Sequence, residues 1–190
     1  MVLLTTSRRP TRRIRTFCRD LASSIPNTTR INRGKLSLEG VAEEAASRDL
    51  DKVIIIDRWK GGPGRIRLFM VTEEGLEEVP PRIYIRGIKL QREFGIRRRY
   101  RIRSLIIRGL NNKSDVARLS KALSDFLNIP CGGLKSIERY QAEMRIDLDE
   151  LMRIRISFFL LPDMAEIGPR ITISHLIWDV KCIERMRRLG

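Results

Sequence analysis

Val-Leu-Leu-Thr-Thr-Ser-Arg-Arg-Pro-Thr-Arg-Arg, at Val2–Arg13, decides how the rest of the chain is read. Val2–Thr6 is a short β-rich run, the mark of a buried strand. Ser7–Arg9 is a polar turn, and Pro10 suits the first turn of a helix, where its missing N–H costs nothing. Ile14, Phe17, Cys18, Leu21, Ala22 and Ile25 then recur at helical spacing and form one apolar face. Arg12, Arg13, Arg15 and Arg19 fall on the other side. Pro26 ends the helix by disfavouring helical geometry at Ile25.

The same order of elements returns about 104 residues later. Ser104–Arg108 is an apolar strand. A helix follows, capped by Ser114 or Asn112, with Val116, Leu119, Leu123, Phe126 and Leu127 as its face, and it too stops at an Ile-Pro pair, Ile129-Pro130. A repeat this long implies two similar halves rather than a solenoid.

Between the copies, Thr28–Asn32 is a short extended stretch and Arg33–Lys35 a turn. Leu38–Arg48 is a helix capped by Ser37. Lys52–Trp59 reads as a central strand, Gly61–Gly64 as a tight turn and Ile66–Val71 as the returning strand. Glu73–Glu78 reads as an acidic surface loop and Ile83–Leu90 as another strand. In the second half, Ala142–Leu148 and Met152–Leu161 are strands around Asp149-Glu150. Thr172–Cys182 is a long last strand running into a basic helix that ends at Arg187-Arg188. No counterpart of the Leu38–Arg48 helix is visible there. The class is α/β with a mixed sheet. One domain is expected over 1–190: an N-terminal half at about 1–90, a basic linker at about 91–103 and a C-terminal half at about 104–190.

Charge separates scaffold from function. Hydrophobic residues at 42% and charged residues at 32% fit a folded chain, but the net charge is +15 and the pI about 10.8. Met1–Lys35 has nine Lys/Arg against one Asp/Glu, and Arg82–Arg103 again has nine against one, while Leu36–Pro81 is net acidic. Such a field attracts polyanions, nucleic acid before membrane. The excess is mostly arginine, whose planar fork grips phosphate in bidentate fashion.

Other chemistries find little support. Cys18, Cys131 and Cys182 are far apart and in no Cys-x-x-Cys pair, which argues against a disulfide framework or structural zinc and for a reducing, cytoplasmic setting. No apolar run approaches membrane-span length, and the N-terminal apolar run is too short for a signal peptide. The single histidine, His175, reads as a packed or edge-strand residue, not a catalyst. Gly61–Gly64 lacks the following Lys-Ser/Thr of a phosphate-binding loop. Asp147, Asp149 and Glu150 read as solvated.

The candidate contacts are cationic turns at helix starts, where backbone N–H groups favour anions. Ser7, Arg8, Arg9, Arg12 and Arg13 form the first turn. Asn32, Arg33, Gly34 and Lys35 form the second, with Arg33 and Lys35 reaching outward. Arg97, Arg98, Arg99 and Arg101 supply a further wall. The second copy has Gly-Leu-Asn-Asn-Lys at Gly109–Lys113, nearly uncharged, so the contact is expected on the first half. Aromatics are only 6%, which favours recognition of backbone and shape over base stacking.

Leu4–Phe17, Ile25–Asn27, Arg30–Gly34 and the Val-Ile-Ile-Ile run after the second helix resemble the Brix domain. The match from Thr5 to Gly34 is specific; the later chain matches in layout. The resemblance implies a non-catalytic ribosome biogenesis factor that binds rRNA or pre-rRNA and assists its processing and assembly. It implies two halves, each like the anticodon-binding domain of class II aminoacyl-tRNA synthetases. A guide RNA or other ribosome assembly proteins are further expected partners. No membrane, small-molecule substrate, cofactor or metal is expected. The near-bare domain points to an archaeal-type member. The alternatives are a tRNA-binding module and an RNA-modifying enzyme.

Overall fold

Alternation along β1 (Val2–Thr6) sorts the helices onto two faces. Val2 and Leu4 enter one core and Leu3 the other, as the two-residue period of a strand requires. The computed structural model describes residues 1–95, 100–110, 114–132 and 139–180. Helix α1 (Arg12–Ser24) lies on the Leu4 side, and α2 (Leu38–Ala46) packs Val41 and Ala45 against Leu3, Val53 and Ile55 on the other.

The remaining elements are β2 (Thr28–Arg30), β3 (Lys52–Trp59), β4 (Gly62–Thr72), β5 (Gly75–Lys89), β6 (Leu105–Gly109), α3 (Ser114–Leu127), β7 (Ala142–Leu148), β8 (Ile154–Leu160), β9 (Ala165–Glu166) and β10 (Arg170–Ile177). All strands belong to one mixed sheet, ordered β2-β1-β3-β4-β5-β10-β8-β7-β6, with β9 alongside β8. β1 runs parallel to β2 and β3, and β3, β4 and β5 continue antiparallel. The second half repeats the pattern: β6 parallel to β7, then β7, β8 and β10 antiparallel. A parallel bridge from Ile107 to Cys131 stands beside β6 where β2 stands beside β1. The last strands of the two patterns, β5 and β10, pair antiparallel and make the sheet continuous.

A single core joins the patterns. Phe17, Leu21 and Ile25 at α1 meet Leu119, Leu123 and Phe126 of α3 over Ile54, Ile66, Ile83, Phe158 and Ile171. Each such side chain, fully buried, contributes about 1.5–3 kcal/mol. Polar bonds tie the same seam. Gln91 donates to Ser23 Oγ at 3.2 Å, Ser24 Oγ at 3.1 Å and the Gly168 carbonyl at 3.3 Å. Ile102 is buried and its N–H meets the Ser23 carbonyl at 2.9 Å. Both described ends of the 91–103 segment are therefore held on α1.

Several expectations change in detail. Helix α1 starts at Arg12, after Pro10, and its cap is Thr11, whose hydroxyl accepts from Ile14 N–H at 3.4 Å. Ser37 does cap α2, accepting from Gly40 at 3.0 Å. The β3–β4 turn is Lys60–Gly61, since Gly62 and Gly64 already belong to β4. Of the expected Glu73–Glu78 loop only Glu73-Glu74 is a turn, and Gly75–Glu78 already belong to β5. β5 is one strand from Gly75 to Lys89. Pro80-Pro81 interrupts the sequence pattern, yet the strand passes it where the β4–β5 register shifts, the kind of irregularity that accommodates proline in a sheet. Glu150 is exposed as expected, whereas Asp147 and Asp149 are only partly exposed and pair with Arg155 and Arg153 at 2.9 and 2.7 Å. The last strand ends at Ile177, and β10 lies inside the sheet rather than at its edge. The expected C-terminal basic helix, Cys182, Asn111–Lys113, and the region where an α2 counterpart would fall (133–138) lie outside the described residues.

Candidate nucleic-acid interface

Two turns that are 25 residues apart in sequence close on one carbonyl. Arg8 Nε donates to the Leu36 oxygen at 3.3 Å and Arg33 Nε donates to the same oxygen at 2.7 Å. The parallel pairing of β1 with β2 makes this possible, because it carries the chain after each strand to the same end of the sheet. Gly34 adopts φ +54 with open space around it, a conformation that suits glycine. Arg33 is 6% exposed. Burial lowers its pKa, and the neighbouring positive charges of Arg8 and Arg67 lower it further, against Asp57 and Glu39. The two turns thus form a site where positive charge is crowded. An anion bound there would relieve that crowding.

The β3–β4 hairpin tip completes the cluster. Arg58 N–H donates to Ser7 Oγ at 3.1 Å, and its guanidinium reaches the Arg9 carbonyl at 3.5 Å. Thr11 Oγ donates to the Gly61 carbonyl at 2.9 Å. Arg8, Arg9, Arg12, Lys35, Arg58 and Lys60 are all exposed around these contacts. Among the carboxylates, Glu39 lies nearby in the first turn of α2. Asp57 is already clasped by Arg65 and, at 2.8 Å, by Arg67.

The expected residues divide. Ser7, Arg8, Arg9, Arg33, Gly34 and Lys35 come together, with Arg12 at the start of α1. Arg33 does not reach outward as expected; it is buried beneath the cluster and supports it. Arg13 is turned away: it holds Glu93 at 3.1 Å and the Ile88 carbonyl at 3.0 Å. The backbone N–H of Leu90 and the Arg13 charge hold the Glu93 carboxyl below its usual range. Asn32 is exposed and accepts from Arg30 at 2.9 Å. Arg101 does not form a second wall at this cluster. It lines a separate cleft with Ala22, Ile25, Asn27 and Arg103, at the far end of α1, a helix about 20 Å long. Arg97, Arg98 and Arg99 lie outside the described residues.

Beside the hairpin tip opens a cavity of about 630 Å³, lined by Arg58, Trp59, Gly64, Arg65, Tyr84, Ile85, Ser174 and His175. Tyr84 of β5 and His175 of β10 stack across the central strand pair, centroids 4.2 Å apart and planes within 15°. Trp59 is 69% exposed at the rim. Burial alone would raise the Tyr84 phenol, but hydrogen bonds and charge from Arg65 and Arg82 outweigh it and hold it below its usual range. Sequence reading missed these residues. Trp59 was legible as an aromatic beside Arg58 and Lys60, whereas the Tyr84–His175 pair exists only through the β5–β10 register.

Elsewhere two buried carboxylates are engaged by arginines. Glu78 takes both forks of the buried Arg82 at 2.6 and 2.7 Å, which raises the Arg82 pKa. Buried Glu143 accepts from Arg108 at 3.1 Å and Arg145 at 2.8 Å. Among the described residues no group of three or more His, Cys, Asp or Glu is placed to hold a metal ion, and no helix is long and apolar enough to cross a membrane.

No family model matches the chain. Individual relatives do. The probable Brix domain-containing ribosomal biogenesis protein of Pyrococcus horikoshii is 32% identical over 201 residues, covering 95% of this chain and 89% of that protein. The protein of the same description from Thermococcus kodakarensis is 41% identical over 97 residues; the match spans 51% of this chain and only 46% of that relative's length. The crystal structure of a probable ribosomal biogenesis protein from Aeropyrum pernix superposes with a TM-score of 0.76 at 27% identity, over 93% of this chain and 98% of the other.

Proposed function

The chain belongs to the family of Brix domain-containing ribosomal biogenesis proteins, and from that premise we propose that it is a non-catalytic assembly factor. It binds precursor rRNA in the cytoplasm and assists its folding and processing alongside other assembly components. One observation carries the RNA contact: the convergence of Arg8 and Arg33 on the Leu36 carbonyl, ringed by exposed Arg9, Arg12, Lys35, Arg58 and Lys60. Guanidinium forks grouped at the start of a helix suit consecutive phosphates. The non-catalytic reading is supported by Asp57, Glu78, Glu143 and Asp147, carboxylates that arginines already hold in ion pairs. We read the two repeated strand patterns as halves of the anticodon-binding type, a scaffold reused with charge retained on one copy.

Ultraviolet crosslinking in cells, followed by sequencing of the attached RNA and mapping of the crosslinked peptides, tests this. Recovery of rRNA precursors on peptides containing Arg8, Arg9 or Arg58 is expected. Recovery of tRNA as the main species, or crosslinks confined to the second half, would overturn it.

A further inference from the structure

The cavity beside the cationic turns has features that phosphate binding alone does not use. Its floor is a nearly parallel aromatic pair, Tyr84 on His175. Arg65 lines the cavity beside that pair. Its rim carries an indole, Trp59, which is 69% exposed. A Cβ at Gly64 would lie 2.2 Å from the Trp59 Cβ, so glycine lets β4 pass close against the base of that side chain. The volume, about 630 Å³, is that of a site for an organic group rather than an ion. The rim is continuous with the phosphate site, because Arg58 belongs to the cavity lining and also contacts Ser7 and Arg9.

Alternating cationic and aromatic surface matches a ligand that alternates phosphates with flat rings. We propose that this cavity captures one unpaired nucleobase of the bound RNA, stacked against Trp59 and the Tyr84–His175 pair, with Arg58 on the adjoining phosphate. A folded protein segment lacks that alternation, and a duplex keeps its bases inside the helix. The proposal rests on the RNA-binding reading above and adds single-strand selection to it. It also reverses the expectation from composition that stacking plays little part: the aromatics are few, but three aromatic rings line this one cavity.

The test compares two synthetic RNA strands of equal length and charge, one with bases and one abasic, by fluorescence anisotropy with the full chain. The wild type is expected to bind the base-bearing strand more tightly. Trp59→Ala should weaken that strand roughly 5- to 150-fold, the range for loss of one stacked base, and leave the abasic strand unchanged. His175→Ala, also at an exposed position, should act in the same direction. Equal wild-type binding of both strands, or a base preference that survives both substitutions, overturns the pocket and leaves RNA binding intact. Binding of neither strand by the wild type overturns both readings.

Discussion

Replacing Arg8 and Arg9 by alanine should change how RNA affinity depends on salt more than it changes the fold. Both side chains are exposed, and the Arg8 bond to the Leu36 carbonyl is duplicated by Arg33. Each phosphate neutralised by a cation contributes about 0.7 to the slope of log affinity against log salt for single strands. Six exposed cations ring the site (Arg8, Arg9, Arg12, Lys35, Arg58 and Lys60), so full engagement gives a slope of about −4.2. Affinity would then fall roughly 300-fold between about 50 and 200 mM salt. The double variant should have a slope of about −2.8 and lose only about 50-fold over the same range. Anisotropy titrations of a labelled pre-rRNA fragment at four salt concentrations measure this. Arg13→Ala is the control: its fork is committed to Glu93 and the Ile88 carbonyl, so it should leave the slope unchanged. A double variant with the wild-type slope, or an Arg13 variant that lowers it equally, would refute the placement of the phosphates.

Gly64→Ala should push Trp59 out of position and cost about 1–3 kcal/mol, as overpacking usually does; thermal unfolding and tryptophan fluorescence would detect it, and an unchanged emission maximum would count against the cavity geometry. Glu143→Ala leaves Arg108 and Arg145 without their shared buried carboxylate and should cost about 3–5 kcal/mol, read from the urea midpoint; a loss below about 1 kcal/mol would mean that solvent or other groups replace the carboxylate there. Burial pushes the Cys18 thiol up to about 12, so it stays protonated at ordinary pH. Iodoacetamide at pH 8 should therefore modify exposed Cys131 and spare Cys18 until the protein is unfolded, as peptide mass spectrometry would show; native labelling of Cys18 would contradict the packing of α1.

The first half was legible where periodicity is strong. The α1 face needed only the spacing of Ile14, Phe17, Cys18, Leu21 and Ile25, since a helix with one apolar face has one stable way to lie on a sheet. Both cationic turns and the extended stretches before them were readable, but their convergence rests on the parallel pairing of β1 with β2, which the sequence does not signal. What stayed hidden depends on long-range register. Glu78 looks like surface in sequence, yet Arg82 four residues later lets it be buried as an ion pair. Pro80-Pro81 disguised a single strand as a loop and a strand. Arg13 looks identical to Arg12 until Glu93, 80 residues away, is seen to claim it. His175 and Tyr84 carry no local signal of each other.

The pairing of β5 with β10 also sets a schedule for synthesis. β5 is complete at Lys89, but its partner begins only at Arg170, about 80 residues later. At ribosomal speeds of about 5–20 residues per second, that interval is about 4–16 s. During it a 15-residue strand presents an uncovered row of backbone donors and acceptors, the kind of edge that recruits other chains. The nascent protein is thus exposed to strand capture until its last strand emerges. A stalled or truncated product ending before Arg170 would keep that edge permanently and should be found in aggregates or held by chaperones, rather than as a free half.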